Sequence, residues 1–121
     1  MRDDIRRPDR SWSSERNFIL SRYVYSHSQL VLESFGNNPS DIVRILFEGV
    51  ERIEVYRSYK GGIALSEVDS HESYRQPPPH VRASLWEISS PSGTGFVAAG
   101  RVRVSRHSLE GAELELLFFA R

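Results

Sequence analysis

Residues 101–119 read RVRVSRHSLEGAELELLFF, and this stretch decides the fold class. Val102 and Val104 alternate with arginines, and glutamates alternate with leucines over residues 113–116. Alternation with a period of two is typical of half-buried β-strands. Residues 107–112 separate the two patterns and contain a glycine, which suits a turn. We therefore predict an antiparallel hairpin.

The charged residues of this hairpin predict pairing across its strands. In an antiparallel arrangement, Arg101 and Arg103 share a face with Glu113 and Glu115. Opposite charges on neighbouring strands contribute about 0.2–1 kcal/mol per pair. Part of the charge of the chain should therefore be neutralised within the sheet.

The period-two pattern continues upstream of the hairpin. It predicts further strands near residues 18–24, 29–35, 42–47, 53–56, 63–68, 81–88 and 96–106. Turn formers at 36–41 should close one hairpin, and Gly61-Gly62 suits a type I′ turn that returns the next strand. No segment carries an apolar stripe of helical period. We predict a mainly β fold with little helix, an antiparallel β-sandwich or open barrel of about seven to eight strands.

Two regions depart from the strand pattern. Residues 1–16 hold five arginines and four acidic residues, and we predict a mobile N-terminal arm there, from which Trp12 docks on the rest of the chain. Residues 17–121 are then a single β-rich domain. The prolines Pro77–Pro79 break the pattern, because proline lacks the amide donor that a ladder needs.

Composition excludes several classes of function. The 121 residues carry 16 basic and 16 acidic side chains, so the chain lacks the basic excess that counterion release on nucleic acid requires. The absence of cysteine removes disulfides, thiolate metal sites and a cysteine nucleophile. No uncharged apolar run approaches the roughly 18 residues of a membrane span. We expect a cytoplasmic protein that binds neither membranes nor nucleic acid.

The densest group of chemically active side chains is Asp69-Ser70-His71-Glu72. Successive side chains of a loop diverge, so a metal or catalytic site there would need ligands from elsewhere; a solvated polar loop is the alternative that we favour. The chain has no Gly-x-Ser-x-Gly elbow, and the glycine-rich stretch at 90–95 lacks the lysine of a phosphate-binding loop. We expect no enzymatic activity, no cofactor and no metal.

Clustered tyrosines and arginines give the best candidates for a binding surface. They flank the Gly61-Gly62 turn and the proline stretch, beside two acidic residues of a central bend; the set is Tyr56, Arg57, Tyr59, Tyr74 and Arg75 with Glu51 and Glu54. Tyrosine and arginine are enriched at interface hot spots, and the carboxylates could meet a basic partner. Tyrosines that only cap a core would give the same pattern.

The order of motifs over residues 17–119 resembles that of a group of small uncharacterised bacterial domains. The motifs that carry the resemblance are Tyr25–Leu32, Arg44–Val50, Ile53–Val55 and a Gly93-x-Gly95 loop that leads into Val102–Val104. Some of these domains are described as immunity proteins of polymorphic toxin systems. The resemblance implies a compact β-rich binding domain without catalytic residues. The chain departs from the immunity proteins in having Ser28, where an acidic residue is usual, and in the Pro77–Pro79 insert.

The function that we expect is non-enzymatic binding of a protein partner, as in an immunity-type inhibitor that occludes its target. The alternative is a small-ligand-binding β-barrel, or an enzyme, with an interior pocket lined by Trp86, Phe96 and Phe118. Single-stranded nucleic acid ranks below both, because acidic residues compensate the arginines. The last strand, with Leu117 and Phe119 on its outer parity, could also pair with a second copy to give a homodimer.

Overall fold

The computed structural model describes residues 10–35, 40–68 and 83–121, and most of them lie in β-strands. In chain order the strands are β1 Ser11–Ser14, β2 Asn17–Val24, β3 Gln29–Phe35, β4 Asp41–Glu48, β5 Arg52–Glu54, β6 Ser58–Tyr59, β7 Ile63–Val68, β8 Ser84–Ser90, β9 Gly93–Ala99, β10 Arg101–Ser108 and β11 Glu113–Ala120. A 3-10 turn, Tyr25–His27, lies between β2 and β3. Within these ranges, no helix is long and apolar enough to cross a membrane.

The strands form two antiparallel sheets that pack against each other. The five-stranded sheet has the order β1-β7-β8-β9-β5, and the six-stranded sheet has the order β11-β10-β4-β3-β2-β6. The predicted mainly β class and the antiparallel sandwich are confirmed. The described residues form eleven strands rather than seven or eight, because β1 and β6 are additional short edge strands and one predicted strand is divided in two.

The core lies between the sheets. Large buried side chains from both sheets build it, among them Phe18, Leu30, Leu32, Ile45, Phe47, Leu65, Trp86, Ile88 and Val97. Successive residues of a strand point to opposite faces of the sheet. The residues of the five-stranded sheet that point away from the core include a smaller buried cluster, formed by Val68, Leu85, Phe96 and Ala98.

Two predicted hairpins are confirmed. β3 pairs with β4, and β10 pairs with β11, in both cases antiparallel. The β10–β11 ladder has two register shifts, which leave Leu114 and Leu117 without partners across the ladder, so each marks a β-bulge. The bulge changes the expected orientation of Leu117, which is half-buried and packs against the core rather than facing outward.

The predicted long strand at 96–106 is wrong, because the chain changes sheet within it. Gly100 separates β9, in the five-stranded sheet, from β10, in the six-stranded sheet. The chain also leaves the six-stranded sheet after β4 at this point, and the Gly100 N–H donates to the carbonyls of Glu48 at 2.8 Å and Gly49 at 3.1 Å. We call Glu48, Gly49 and Gly100 the crossing corner.

Glycine is needed at the crossing corner. Gly49 has a φ of +64°, which residues with a side chain rarely adopt. A Cβ on Gly49 would also lie 3.3 Å from the Gly100 nitrogen. The crossing corner therefore carries two of the crossings between the sheets, from β4 to β5 and from β9 to β10.

The predicted hairpin around Gly61-Gly62 is also wrong. Both glycines have positive φ, +87° and +109°, as a type I′ turn requires, but the strands that flank them do not pair with each other. β5 pairs with β9, and β7 pairs with β1 and β8. The glycines instead carry the chain from β6 in the six-stranded sheet to β7 in the five-stranded sheet.

The predicted end of the N-terminal arm, at residue 16, is wrong. Ser11–Ser14 form β1, which pairs antiparallel with β7. Trp12 docks as expected, because it packs against the core and its ring meets Phe18 edge-to-face at 6.3 Å. Serine-rich residues show no apolar alternation, so the sequence does not reveal this strand. The part of the predicted arm before residue 10 lies outside the described residues.

Candidate functional site

The structure describes five of the seven predicted binding residues, namely Glu51, Glu54, Tyr56, Arg57 and Tyr59. Tyr74 and Arg75 lie outside the described residues, as do Asp69, His71, Glu72 and the proline stretch. The five described residues all lie between the crossing corner and the end of β6. The candidate site is therefore built on one continuous segment.

Residues 50–57, which we call the closing segment, run along one side of the sandwich. Two backbone hydrogen bonds hold its ends against β2 and the residues that follow β2. At one end the Val50 N–H donates to the Ser28 carbonyl at 3.0 Å, and at the other the Leu20 N–H donates to the Arg57 carbonyl at 2.7 Å. The closing segment is thus fixed at both ends beside residues 20–28.

The closing segment separates apolar from polar side chains. Ile53 and Val55 pack against the core, and the side chains that face solvent are Glu51, Arg52, Glu54, Tyr56 and Arg57. Arg52 and Glu54 make further interactions with the protein. The solvent face combines an aromatic ring with charges of both signs.

Tyr59 is not part of this solvent face, and its predicted role as a contact residue is wrong. The side chain is 0% exposed. Its hydroxyl accepts a hydrogen bond from the Tyr56 N–H at 3.0 Å, and the two rings meet edge-to-face at 6.0 Å. Burial raises the pKa of Tyr59 above its usual value of 10.0. Tyr59 therefore fixes the backbone and the ring of Tyr56 from below.

Two glycines of the β8–β9 hairpin make room for this tyrosine pair. A Cβ on Gly95 would lie 2.5 Å from the Tyr59 hydroxyl and 2.5 Å from the Glu54 carbonyl oxygen. A Cβ on Gly93 would lie 2.5 Å from the Tyr56 ring. The Gly-x-Gly motif is thus a packing requirement, since close approach of other groups needs the absence of a side chain.

Two further tyrosines lie near the closing segment, Tyr23 at the end of β2 and Tyr25 in the 3-10 turn that follows it. Tyr25 is 83% exposed and Tyr23 is also exposed, and their rings meet edge-to-face at 6.4 Å. Ser28 closes the 3-10 turn with a φ of +51°, a conformation that costs energy for a residue with a side chain. The sequence analysis predicted a strand that ends near residue 24 and gave these two tyrosines no role. Residues 21–27 contain a single aliphatic side chain, Val24, and this is the signal in the sequence that could have identified it.

The exposed residues of the closing segment, together with those of the β2 end and 3-10 turn beside it, make up a candidate surface. We call it the tyrosine side and define it by Tyr23, Tyr25, Glu51, Glu54, Tyr56 and Arg57. The hydrogen bonds at the ends of the closing segment place residue 57 beside residue 20 and residue 50 beside residue 28. His27, which is exposed in the adjoining turn, borders it.

The predicted cross-strand ion pairs are present in part. Arg103 binds Glu113 at 2.8 Å, as predicted. Arg101 instead binds Glu48 on the other neighbouring strand at 2.6 Å, and Glu115 is bound by Arg106 at 3.2 Å. The bulges of β11 change the side-chain order across the ladder, which explains the exchange of partners.

Asp41 is the most strongly paired acidic residue that we find on the six-stranded sheet. Hydrogen bonds from Arg16 and Arg106 lower the pKa of its carboxyl, and the two contacts measure 2.8 and 3.1 Å. The carboxylate joins residue 16, which precedes β2, to β4 and β10. Its role is to hold strands together rather than to offer a reactive group.

The three residues of the predicted ligand pocket do not surround a common cavity. Trp86 and Phe118 pack edge-to-face at 5.9 Å between the sheets. Phe96 lies on the other face of the five-stranded sheet, in the smaller cluster. Within the described residues, no group of three His, Cys, Asp or Glu side chains could hold a metal ion.

A buried serine–histidine pair on β10 resembles part of a catalytic triad. Ser105 Oγ and His107 Nε2 are 2.8 Å apart, and His107 Nδ1 lies 3.4 Å from the Gly111 carbonyl oxygen. A catalytic triad would instead place a carboxylate at Nδ1 and leave the serine accessible, whereas both residues are buried. The pair fastens the turn between β10 and β11.

Comparisons of the chain with protein-family models, curated proteins and solved structures found no significant match. The resemblance to bacterial immunity domains therefore remains a hypothesis based on the sequence motifs.

Proposed function

We propose that the chain is a protein-binding domain that uses the tyrosine side to cover part of a partner protein. The observation that carries the proposal is the exposure of Tyr56 and Arg57 on the closing segment and of Tyr23 and Tyr25 at the strand end that borders it. Tyrosine and arginine supply large contact areas and directional hydrogen bonds at interfaces. Apolar residues that are exposed singly over a surface would not group tyrosines with an arginine.

The rigidity of the tyrosine side supports the same proposal. Tyr56 is held by the ring and hydroxyl of Tyr59 and by contact with Gly93. Side chains that are already ordered lose less entropy on binding than mobile ones, and this improves affinity. The Tyr56 side chain is therefore ordered before a partner binds.

The charges of the tyrosine side favour a protein partner over a polyanion. Glu51 and Glu54 lie on the same segment as Arg57. The two carboxylates repel a phosphate backbone, whereas mixed charges can complement the mixed surface of a protein. An immunity-type inhibitor that acts by steric occlusion needs a binding surface of this kind and no catalytic group.

The test uses photo-crosslinking in cells of the native host. A photoreactive amino acid replaces Tyr25 or Tyr56, and the control replaces Leu109, an exposed apolar residue of the β10–β11 turn. We expect the same protein to be crosslinked from positions 25 and 56 and not from 109. Different products from 25 and 56, or equal yields from all three positions, would contradict the proposal.

A second measurement examines affinity. The crosslinked protein is purified and titrated with the wild-type chain and with Tyr56→Ala and Leu109→Ala. Loss of a hot-spot side chain weakens binding by at least about 2 kcal/mol, or roughly thirtyfold in Kd. Leu109→Ala should bind like wild type, and an equal Kd for Tyr56→Ala would remove Tyr56 from the interface.

A further inference from the structure

The four edges of the two sheets differ in length. Three are short, because β1, β5 and β6 contain four, three and two residues. The fourth is β11, with eight residues and no strand on its outer side among the described residues. Short edge strands are one of the ways in which proteins avoid pairing with other chains. β11 lacks this protection.

The composition of β11 also favours contact. Leu114, Leu116 and Phe119 are each exposed to between 43 and 50%. The strand contains neither proline nor lysine, two residues that commonly block an edge. An edge of this length with exposed apolar side chains is suited to receive another strand.

We infer that β11 pairs antiparallel with β11 of a second copy of the chain. With Leu117 on the two-fold axis, Glu113 of each copy lies opposite Arg121 of the other. In a two-fold symmetric dimer each contact occurs twice. This register therefore contains two Glu113–Arg121 ion pairs, one at each end of the interface, with apolar side chains between them. Charge complementarity of this kind fixes the register of an interface.

Both charged groups are available for the contact. Among the described residues, Arg103 binds Glu113 through Oε2, and Oε1 is the carboxylate oxygen that a second arginine would bind. Arg121 is exposed and directly follows β11, in a shallow groove that Glu48 and Arg101 also line, and no ion pair joins it to another described residue. Each end of the proposed interface would therefore combine Glu113, Arg103 and the Arg121 of the second copy.

The bulges of β11 limit the strength of the interface. Those at Leu114 and Leu117 increase the local twist, which shortens the ladder that a second strand can form. Interfaces that bury less than about 1,200 Å² are usually weak or transient. We therefore expect a concentration-dependent equilibrium between monomer and dimer rather than a permanent dimer.

Sedimentation equilibrium over about a hundredfold range of concentration tests the inference. Wild type should fit a monomer–dimer equilibrium. Leu116→Lys places a charge on the exposed centre and should shift the chain to monomer, whereas Leu109→Lys, outside β11, should leave the equilibrium unchanged. Circular dichroism checks that both variants fold. A monomeric wild type, or equal effects of the two variants, would overturn the inference.

A charge exchange tests the register. Arg121→Glu and Glu113→Arg should each weaken the dimer, because they place like charges opposite each other. The double variant restores opposite charges and should recover at least part of the affinity lost. If Leu116→Lys abolishes association but the double variant shows no recovery, the antiparallel register is refuted.

Discussion

Replacing Tyr59 with phenylalanine removes one oxygen atom from the support of the tyrosine side. The side chain is fully buried, and its hydroxyl accepts the Tyr56 N–H at 3.0 Å. A phenylalanine ring fills almost the same space, so no large cavity is left. The partly buried Tyr56 N–H loses its acceptor, and a donor left without a partner away from water costs about 1–3 kcal/mol.

The loss can be measured by thermal unfolding. At about 2.1 cal/mol/K per residue, the unfolding entropy of a chain of this length makes 1 kcal/mol equivalent to about 4 °C in Tm. We therefore expect Tyr59→Phe to lower Tm by about 4–12 °C. Tyr25→Phe is the matched control, because Tyr25 is 83% exposed, and its Tm should stay close to that of wild type. Equal Tm values for the two variants would refute the assigned role of the Tyr59 hydroxyl.

Tyr59→Phe should also change how the free energy of unfolding depends on pH above neutrality. Burial raises the pKa of Tyr59 in the folded state above 10.0, so the unfolded chain ionises first. Stability from this group is complete below pH 10.0 and is lost as the pH rises through the folded pKa. In urea titrations at increasing pH, Tyr59→Phe should lose stability less steeply than wild type. Parallel profiles would show that Tyr59 ionisation is not coupled to folding.

Three further substitutions address packing and charge. Gly95→Ala places a Cβ 2.5 Å from the Glu54 carbonyl oxygen and should cost about 1–3 kcal/mol in urea unfolding; an unchanged midpoint would contradict the close contact. Gly49→Val combines a φ of +64° with a contact to Gly100 and should lower Tm more than a typical surface substitution does. Asp41→Asn should make the free energy of unfolding fall less steeply at acidic pH. The lowered pKa of Asp41 means that its contribution to stability is present at neutral pH and is lost as the pH falls through the folded pKa. A decrease in acid as steep as that of wild type would refute this.

Most of the strands could be predicted because their alternation is encoded locally, whereas the serine-rich β1 carries no such pattern. The alternation in β10 and β11 and the β-branched run of β4 identify strands without knowledge of their neighbours. Pairing partners depend on distant residues. At Gly61-Gly62 the backbone conformation agrees with the predicted turn, yet the flanking strands join different sheets. Local φ values do not specify which edge a strand occupies.

The binding surface was harder to predict than the fold. Tyr56 and Tyr59 are three positions apart and of the same type, but one is 54% exposed and the other is fully buried. The difference comes from Gly95, whose missing side chain admits the Tyr59 hydroxyl. Tyr25 was missed because its exposure depends on the turn that ends at Ser28, which a strand pattern does not reveal.

The crossing corner has a consequence for folding kinetics. Because the chain changes sheet at Gly49 and again at Gly100, neither sheet is made from one continuous stretch of sequence. The five-stranded sheet needs β1 and β5 as well as β7 to β9, and the six-stranded sheet needs β10 and β11 beside strands that precede residue 60. Neither sheet can be completed before distant parts of the chain meet. Such a topology folds in milliseconds to seconds, and its two layers should form in one cooperative step rather than in succession.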